Sequence, residues 1–209
     1  MNRNLENALS TSSRAALCAA AAVLLSGCLF PGGTRKTYLA EWRGAPAAAA
    51  KPAPDGALLP AVRVGPFVAV EPYASARMLV WEEATGRLHG TRDSQFAAPP
   101  AVTVQAAVLR ALSGSGAFES VSDSALAASG GAALRGCVEC ARLEKRADGT
   151  FAYAMRVSFG WRENASSSPR FAVCEASVPA ASAKPSDQAR AASAAAGEIA
   201  GKILSAFLQ

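Results

Sequence analysis

The chain has 209 residues, 51% of them apolar and 18% charged, a length and balance that suit one ordinary domain plus a leader or tail and exclude a wholly disordered chain. Its 21 basic and 16 acidic side chains give a mild net charge of +5 with no basic block, which argues against nucleic acid as partner. No run of 18 apolar residues occurs, so a multi-spanning membrane protein is excluded. A single His and few neighbouring acid–base groups argue against a hydrolase.

The first 28 residues read as an export signal. Arg3 and Arg14 flank or precede an apolar stretch, 15–25, of the length of a signal h-region and too short for a stable membrane span. It ends in Leu25-Ser26-Gly27-Cys28, which resembles the bacterial lipobox. The residue types suit that chemistry: small residues at 26 and 27 fit a peptidase cleft, and the Cys28 thiolate is the nucleophile that accepts a diacylglyceryl group. Cleavage before Cys28 frees an amine for a further acyl chain such as palmitate. At ~0.8 kcal/mol per buried methylene, several chains make attachment effectively permanent. Leu29 stands where an Asp would resemble an inner-membrane retention signal. The expected location is therefore the outer membrane, with the body facing the periplasm.

The expected organisation is a signal peptide over 1–27, the lipidated cysteine with a short strand and an Ala/Pro-rich linker over 28–60, and one domain over 61–209. Fifty of the apolar residues are alanine, so Leu, Ile, Val, Phe and Met must carry most of the burial. A first short strand is predicted at 37–42, followed by a surface loop at 44–60. Residues 61–70 alternate, with Val62, Val64, Val68 and Val70 on one parity, and Pro66 breaks that strand or holds it at an edge. Residues 77–82 form a second strand, and the return strand of a hairpin begins at 87–89 after the Ala84-Thr85-Gly86 turn.

Pro99-Pro100 opens a helix carrying Val104, Val108, Leu109 and Leu112, which Gly114 and Gly116 stop. A short strand follows at 118–121. Strands at 133–145 and 150–162 are joined by a turn containing Asp148-Gly149, a strong hairpin signal. Phe151, Tyr153, Met155, Val157, Phe159 and Trp161 share one parity, the cleanest strand pattern in the chain. A strand at 170–178 and a helix at 185–208, with a stripe through Ala192, Ala196, Ile199, Ile203 and Phe207, complete the domain. The fold class predicted is α+β, a mainly antiparallel sheet with two helices packed on one face.

Several segments together resemble the ABC-type transport auxiliary lipoprotein family, the lipoprotein component of paraquat-inducible-type and other MCE-domain systems. They are Tyr38-Leu39, Val62-Arg63-Val64-Gly65-Pro66, Pro72-Tyr73 with Arg77-Met78-Leu79-Val80, Phe96-Ala97-Ala98-Pro99-Pro100, Phe118-Glu119-Ser120-Val121, Leu134-Arg135-Gly136-Cys137-Val138-Glu139 and the C-terminal Ala/Ile/Leu helix. Phe96 stands where the family commonly has Trp, and Cys140 where a large apolar residue is usual. The resemblance implies an outer-membrane-anchored periplasmic protein working with an ABC permease, an ATPase and an MCE-domain protein to move lipids or other apolar molecules. ATP chemistry would then lie elsewhere, and the chain has no Walker-type phosphate loop.

Chemistry-bearing residues are few. Cys137-Val138-Glu139-Cys140 is a C-x-x-C that admits a redox dithiol or, with His89, a zinc site. A redox pair usually opens a helix, however, and here the predicted strand sends residues three apart to opposite faces. The expected arrangement is an export-compartment disulfide between Cys137 and Cys174, with Cys140 as a small core residue. Tyr73 and Trp81, with Arg77 and Arg92 near them, are the candidate partner surface, on the preference of interfaces for aromatic and arginine side chains. The stripe from Phe151 to Trp161 is read as the buried face of a central strand, the alternative being the lining of a lipid groove. Glu82, Glu83 and His89 are read as solvated. No cofactor, metal or catalytic residue is expected, because no nucleophile has a convincing base and orienter. Two other functions remain open: a lipoprotein regulator of a periplasmic cell-wall synthase, and a lipid-binding carrier in its own right.

Overall fold

The computed structural model describes residues 35–42, 58–123, 131–164 and 166–208. The signal segment, Cys28 and most of the expected linker lie outside them. Nine strands and two helices follow in chain order: β1 (Lys36–Tyr38), β2 (Val62–Val64), β3 (Val68–Ala69), β4 (Arg77–Glu82), β5 (Arg87–Phe96), α1 (Pro100–Gly114), β6 (Val121–Ser122), β7 (Ala132–Lys145), β8 (Phe151–Arg162), β9 (Arg170–Ala180) and α2 (Pro185–Phe207).

The organising element is β7, at 14 residues the longest strand. Along one edge it pairs antiparallel with β8, which pairs antiparallel with β9. Along its other edge three short strands arrive end to end, all parallel to it: β2 against Ala132–Leu134, β3 against Cys137–Val138 and β4 against Leu143–Lys145. Beyond them β6 pairs with β2, β5 with β4, and β1 with β5.

The sheet expected to be mainly antiparallel is therefore mixed, with five parallel and three antiparallel ladders among the described residues. Hairpins such as β4–β5 and β7–β8 announce themselves by a turn. Parallel neighbours are joined by long crossovers that leave no local mark. β2, β3 and β4 precede α1 and β7 follows it, so their parallel pairing is of that kind.

The hairpin turn forms as its sequence predicts. Gly149 takes φ +82°, a conformation that favours glycine, and its N–H donates to the Arg146 carbonyl. Asp148 Oδ1 accepts from the Thr150 N–H and hydroxyl, and these bonds, the hydroxyl's above all, hold its carboxyl below the usual range. Pro66 does break the 61–70 segment, so that β2 and β3 are separate strands. The hairpin return is much longer than its opening residues indicate: β5 runs ten residues.

Both helices pack against the same side of the sheet and against each other. α1 starts with proline at its first position and stops where the Ser115 hydroxyl donates to the Leu112 carbonyl and Gly116 takes φ +65°. α2 buries a wide face of alanines with Ile199, Ile203 and Leu204, which brings its backbone close to β8 and β9. The odd-numbered residues of β8 from Tyr153 to Trp161 are all buried beneath the helices, so the aromatic stripe is core. The other side of the sheet carries no helix among the described residues.

Candidate functional site

Of the residues singled out in the sequence, Cys28 lies outside the described part of the chain. The three later thiols do not gather. Cys137, Cys140 and Cys174 are free, and Cys137 and Cys174 do not form the expected bridge. The register gives the reason: Cys137 sits opposite Ser158 on β8 and Cys174 opposite Val157, so β8 lies between them. Two interstrand spacings, roughly 9.5 Å, exceed the ~7 Å limit between the Cα atoms of a disulfide. A bulge between Val138 and Cys140 further shifts the register there. Burial pushes the thiols of Cys140 and Cys174 above the ordinary value, against opposing pulls from Arg142 and Lys202, so both stay protonated at neutral pH. His89 lies exposed on β5 opposite Val80, and no three His, Cys, Asp or Glu cluster among the described residues.

Tyr73, Trp81 and Arg77 do not form one patch. Tyr73 is buried, with its hydroxyl beside the Cys140 thiol and Arg142; burial, and then Cys140, push its pKa up. Trp81 is half-buried and carries the Arg142 guanidinium 4.7 Å above its ring, a cation–π contact. Glu144 Oε1 accepts from Arg142 Nε at 3.0 Å and from its terminal nitrogen at 2.8 Å. Arg142, not singled out in the sequence, is thus the residue that links the two aromatics. Arg77 lies apart, its guanidinium packed over Gly90 of β5.

A concavity lies on the helix-free side of the sheet, a trough of about 730 Å³ across β2, β7, β8 and β9. Three cross-strand rows make it. Arg63, Ala133 and Arg162 stand side by side in the first. In the second, Arg135 lies between two glycines: its chain crosses Gly65, where an added Cβ would meet Cγ at 3.0 Å, and Gly160 follows on β8. The Phe171 ring covers Gly160, where a Cβ would meet it at 2.7 Å. Cys137, Ser158 and Val173 form the third row. Two residues further along β8, Arg156 is bonded to Glu139 at 3.0 Å and Glu175 at 2.7 Å.

The trough is electrostatically lopsided. Arg156 is neutralised by its two carboxylates, whereas Arg63, Arg135 and Arg162 have no acidic partner among the described residues. Phe171 is 78% exposed and Val173 50%, both on β9, which among the described residues has a ladder to β8 alone. A pattern in the sequence does point here. On the 133–145 strand, Arg135 and Glu139 occupy the parity opposite to Leu134, Gly136 and Val138, and past the bulge at 138–140 Arg142 and Glu144 take the other parity. The parity of Arg135 and Glu139 marks a solvated face but does not show that charges on β2 and β8 join it.

Residues 44–204 match the family model described as the ABC-type transport auxiliary lipoprotein component. Among solved structures, a Xanthomonas campestris protein of the DUF330 family superposes with a TM-score of 0.65 at 17% identity, covering 83% of this chain and 95% of that one. An uncharacterised protein superposes with a TM-score of 0.64 at 10% identity, covering 83% of this chain and 99% of its own. At such identities the likeness is one of fold. No curated protein matches the chain.

Proposed function

Because the chain belongs to the ABC-type transport auxiliary lipoprotein family, we propose that it is the outer-membrane-anchored, periplasm-facing accessory component of an MCE-type ABC transport system. Such a system moves lipids or other apolar molecules across the cell envelope. The observation that carries the reading is the extent of the family match, residues 44–204, which takes in nearly all of the body beyond the leader.

The division of labour follows from the residues. The lipobox ending at Cys28 supplies the anchor: acyl chains on that thiol and on the freed amine hold the domain at a membrane surface. The domain offers surfaces rather than chemistry. Its Cys140 and Cys174 are kept as neutral thiols by burial, hence weak nucleophiles, and its arginine-rich sheet face is open to a partner. The permease and ATPase supply the energy, and the MCE-domain protein is the contact partner within the periplasm.

Fractionation of the native host, with and without the signal-peptidase inhibitor globomycin, tests the anchor. The expected result is an acylated, cleaved form in the outer membrane, and an uncleaved precursor under globomycin or in Cys28→Ala. Cross-linking from the same cells should capture an MCE-domain protein. Recovery of the body in the cytoplasm, or capture of a cell-wall synthase in place of an MCE-domain protein, would overturn the proposal.

A further inference from the structure

We propose that the helix-free trough holds one anionic phospholipid as a monomer, its phosphate between Arg63, Arg135 and Arg162 and an acyl chain along Phe171 and Val173. Charge is the first ground. Three exposed arginines, Arg63, Arg135 and Arg162, line it with no ion-pair partner among the described residues, the neighbouring Glu163 being bonded to Arg170. Elsewhere on the same face Arg142 and Arg156 are each matched by Glu144 or by Glu139 and Glu175. Like charges left unmatched repel one another, so a set of them around a concavity fits an anion supplied from outside. Guanidinium forks suit a phosphate, each donating two parallel N–H bonds to two of its oxygens.

Shape is the second ground. About 730 Å³ lies within the volume range of small-molecule sites. Small side chains at Ala133, Cys137 and Ser158 leave the trough its depth, while Gly65 and Gly160 let the Arg135 chain and the Phe171 ring lie flat on the sheet. The β9 side is apolar: Phe171, in the row of Arg135, and Val173, in the next row, are exposed. A charged side on β2, β7 and β8 facing an apolar flank on β9 is the profile of an amphiphile. An inorganic anion would leave the aromatic flank uncovered, and a neutral lipid would leave the arginines unmatched. β9 has no further strand on its outer side among the described residues, so a chain longer than the trough has an exit.

The site belongs to the domain's own surface and does not depend on the transport reading. A lipid-binding domain that captures no MCE-domain protein, or the converse, separates the two.

The test uses full-length protein purified from membranes and transferred from detergent to a non-ionic amphipathic polymer. Dihexanoylphosphatidylglycerol, kept below its micelle concentration, is titrated against it and bound lipid counted by native mass spectrometry. The expected result is one lipid per chain, with dihexanoylphosphatidylcholine at least about tenfold weaker, since a hydrogen-bonded charge contact carries about that much. Arg135→Ala and, independently, Arg162→Ala should each weaken binding about tenfold. Val173→Glu should do the same through the tail, with circular dichroism and melting unchanged. Inorganic phosphate at equal concentration should not displace the lipid.

Equal binding of the zwitterionic lipid, displacement by phosphate alone, or unchanged affinity in both arginine variants would overturn the proposal. So would preferential occupation of the face by a poly-glutamate peptide, or loss of self-association as the main effect of the variants.

Discussion

Phe67 packs its ring against the backbone of Gly136, where any Cβ would collide with the ring edge. The ring cannot withdraw, because its own N–H is fixed at 3.1 Å to Gln105 Oε1 on α1. Gly136→Ala is therefore expected to destabilise the domain by about 1–3 kcal/mol, the usual cost of overpacking, and to lower the urea midpoint without changing the slope. Tyr153 presents the opposite case. Its ring is fully buried and meets Phe96 edge-on at 6.3 Å, yet its hydroxyl finds no partner among the described residues. An unsatisfied buried hydroxyl costs about 1–3 kcal/mol. Tyr153→Phe should leave stability unchanged or raise it, and a fall of more than about 1 kcal/mol in urea unfolding would show that the hydroxyl is bonded after all. The burial of Tyr153 was legible from the alternation on β8. Its lack of a partner was not, because satisfaction depends on atoms from distant segments.

At the level of elements, what the sequence announced best was what repeats or what turns. The six alternating positions of β8, the Asp148-Gly149 turn and the proline openings of both helices each have a local cause, and each appears where expected. β5 shows the converse. Its sequence, Arg-Leu-His-Gly-Thr-Arg-Asp-Ser-Gln-Phe, alternates in no apolar sense, because it lies beyond β4 and buries little apart from Phe96. The parallel seating of β2, β3 and β4 on β7 left no local trace, and neither did the assembly of the arginine face. Each of its side chains lies on a different strand. Alanine on α2 was counted as a weak contributor to burial, yet smallness is what lets the helix lie close to β8 and β9.

That closeness makes Gly197 informative. The Trp42 indole lies on it, filling the space a Cβ would take. Gly197→Ala should gain about 1 kcal/mol of helix propensity and lose the indole's seat, worth about 1.5–3 kcal/mol for a large apolar side chain. The expected outcome is a small net loss in melting temperature with red-shifted tryptophan emission. Emission unchanged from the parent would mean that the indole does not rest there.

For the molecule as a whole, pH is the revealing variable. Burial raises the pKa values of Cys140, Cys174, Tyr73 and Tyr153 above ordinary values of 9.0 for thiols and 10.0 for phenols. The folded state then holds these protons more tightly than the unfolded one. The corresponding stability is fully present below about pH 9 and is lost as pH rises through the folded values. Melting temperature should be flat from pH 7 to 8.5 and fall steadily towards pH 11. Replacing Cys140 and Cys174 by alanine should delay the onset of that fall, and an unaltered onset would assign it to the tyrosines. The family was legible at this scale through the resemblance of short segments along the body, which the match over residues 44–204 bears out. Surfaces that bind by shape and charge leave no short motif.

One consequence follows from the manner in which the amino-terminal end joins the body. β1 contributes just three register pairs to β5, and the segment is otherwise held by the Ala97 N–H donating to the Tyr38 carbonyl, by buried Ala40, by the Glu41–Arg110 ion pair at 3.0 Å and by the Trp42 ring on α2. The β7–β8 ladder, by contrast, has twelve. A pull delivered through residue 35 would strip β1 and pluck Trp42 free well before the meander yields. The leash would thereby lengthen by several residues at low force, letting the body ride further from whatever surface holds it without unfolding.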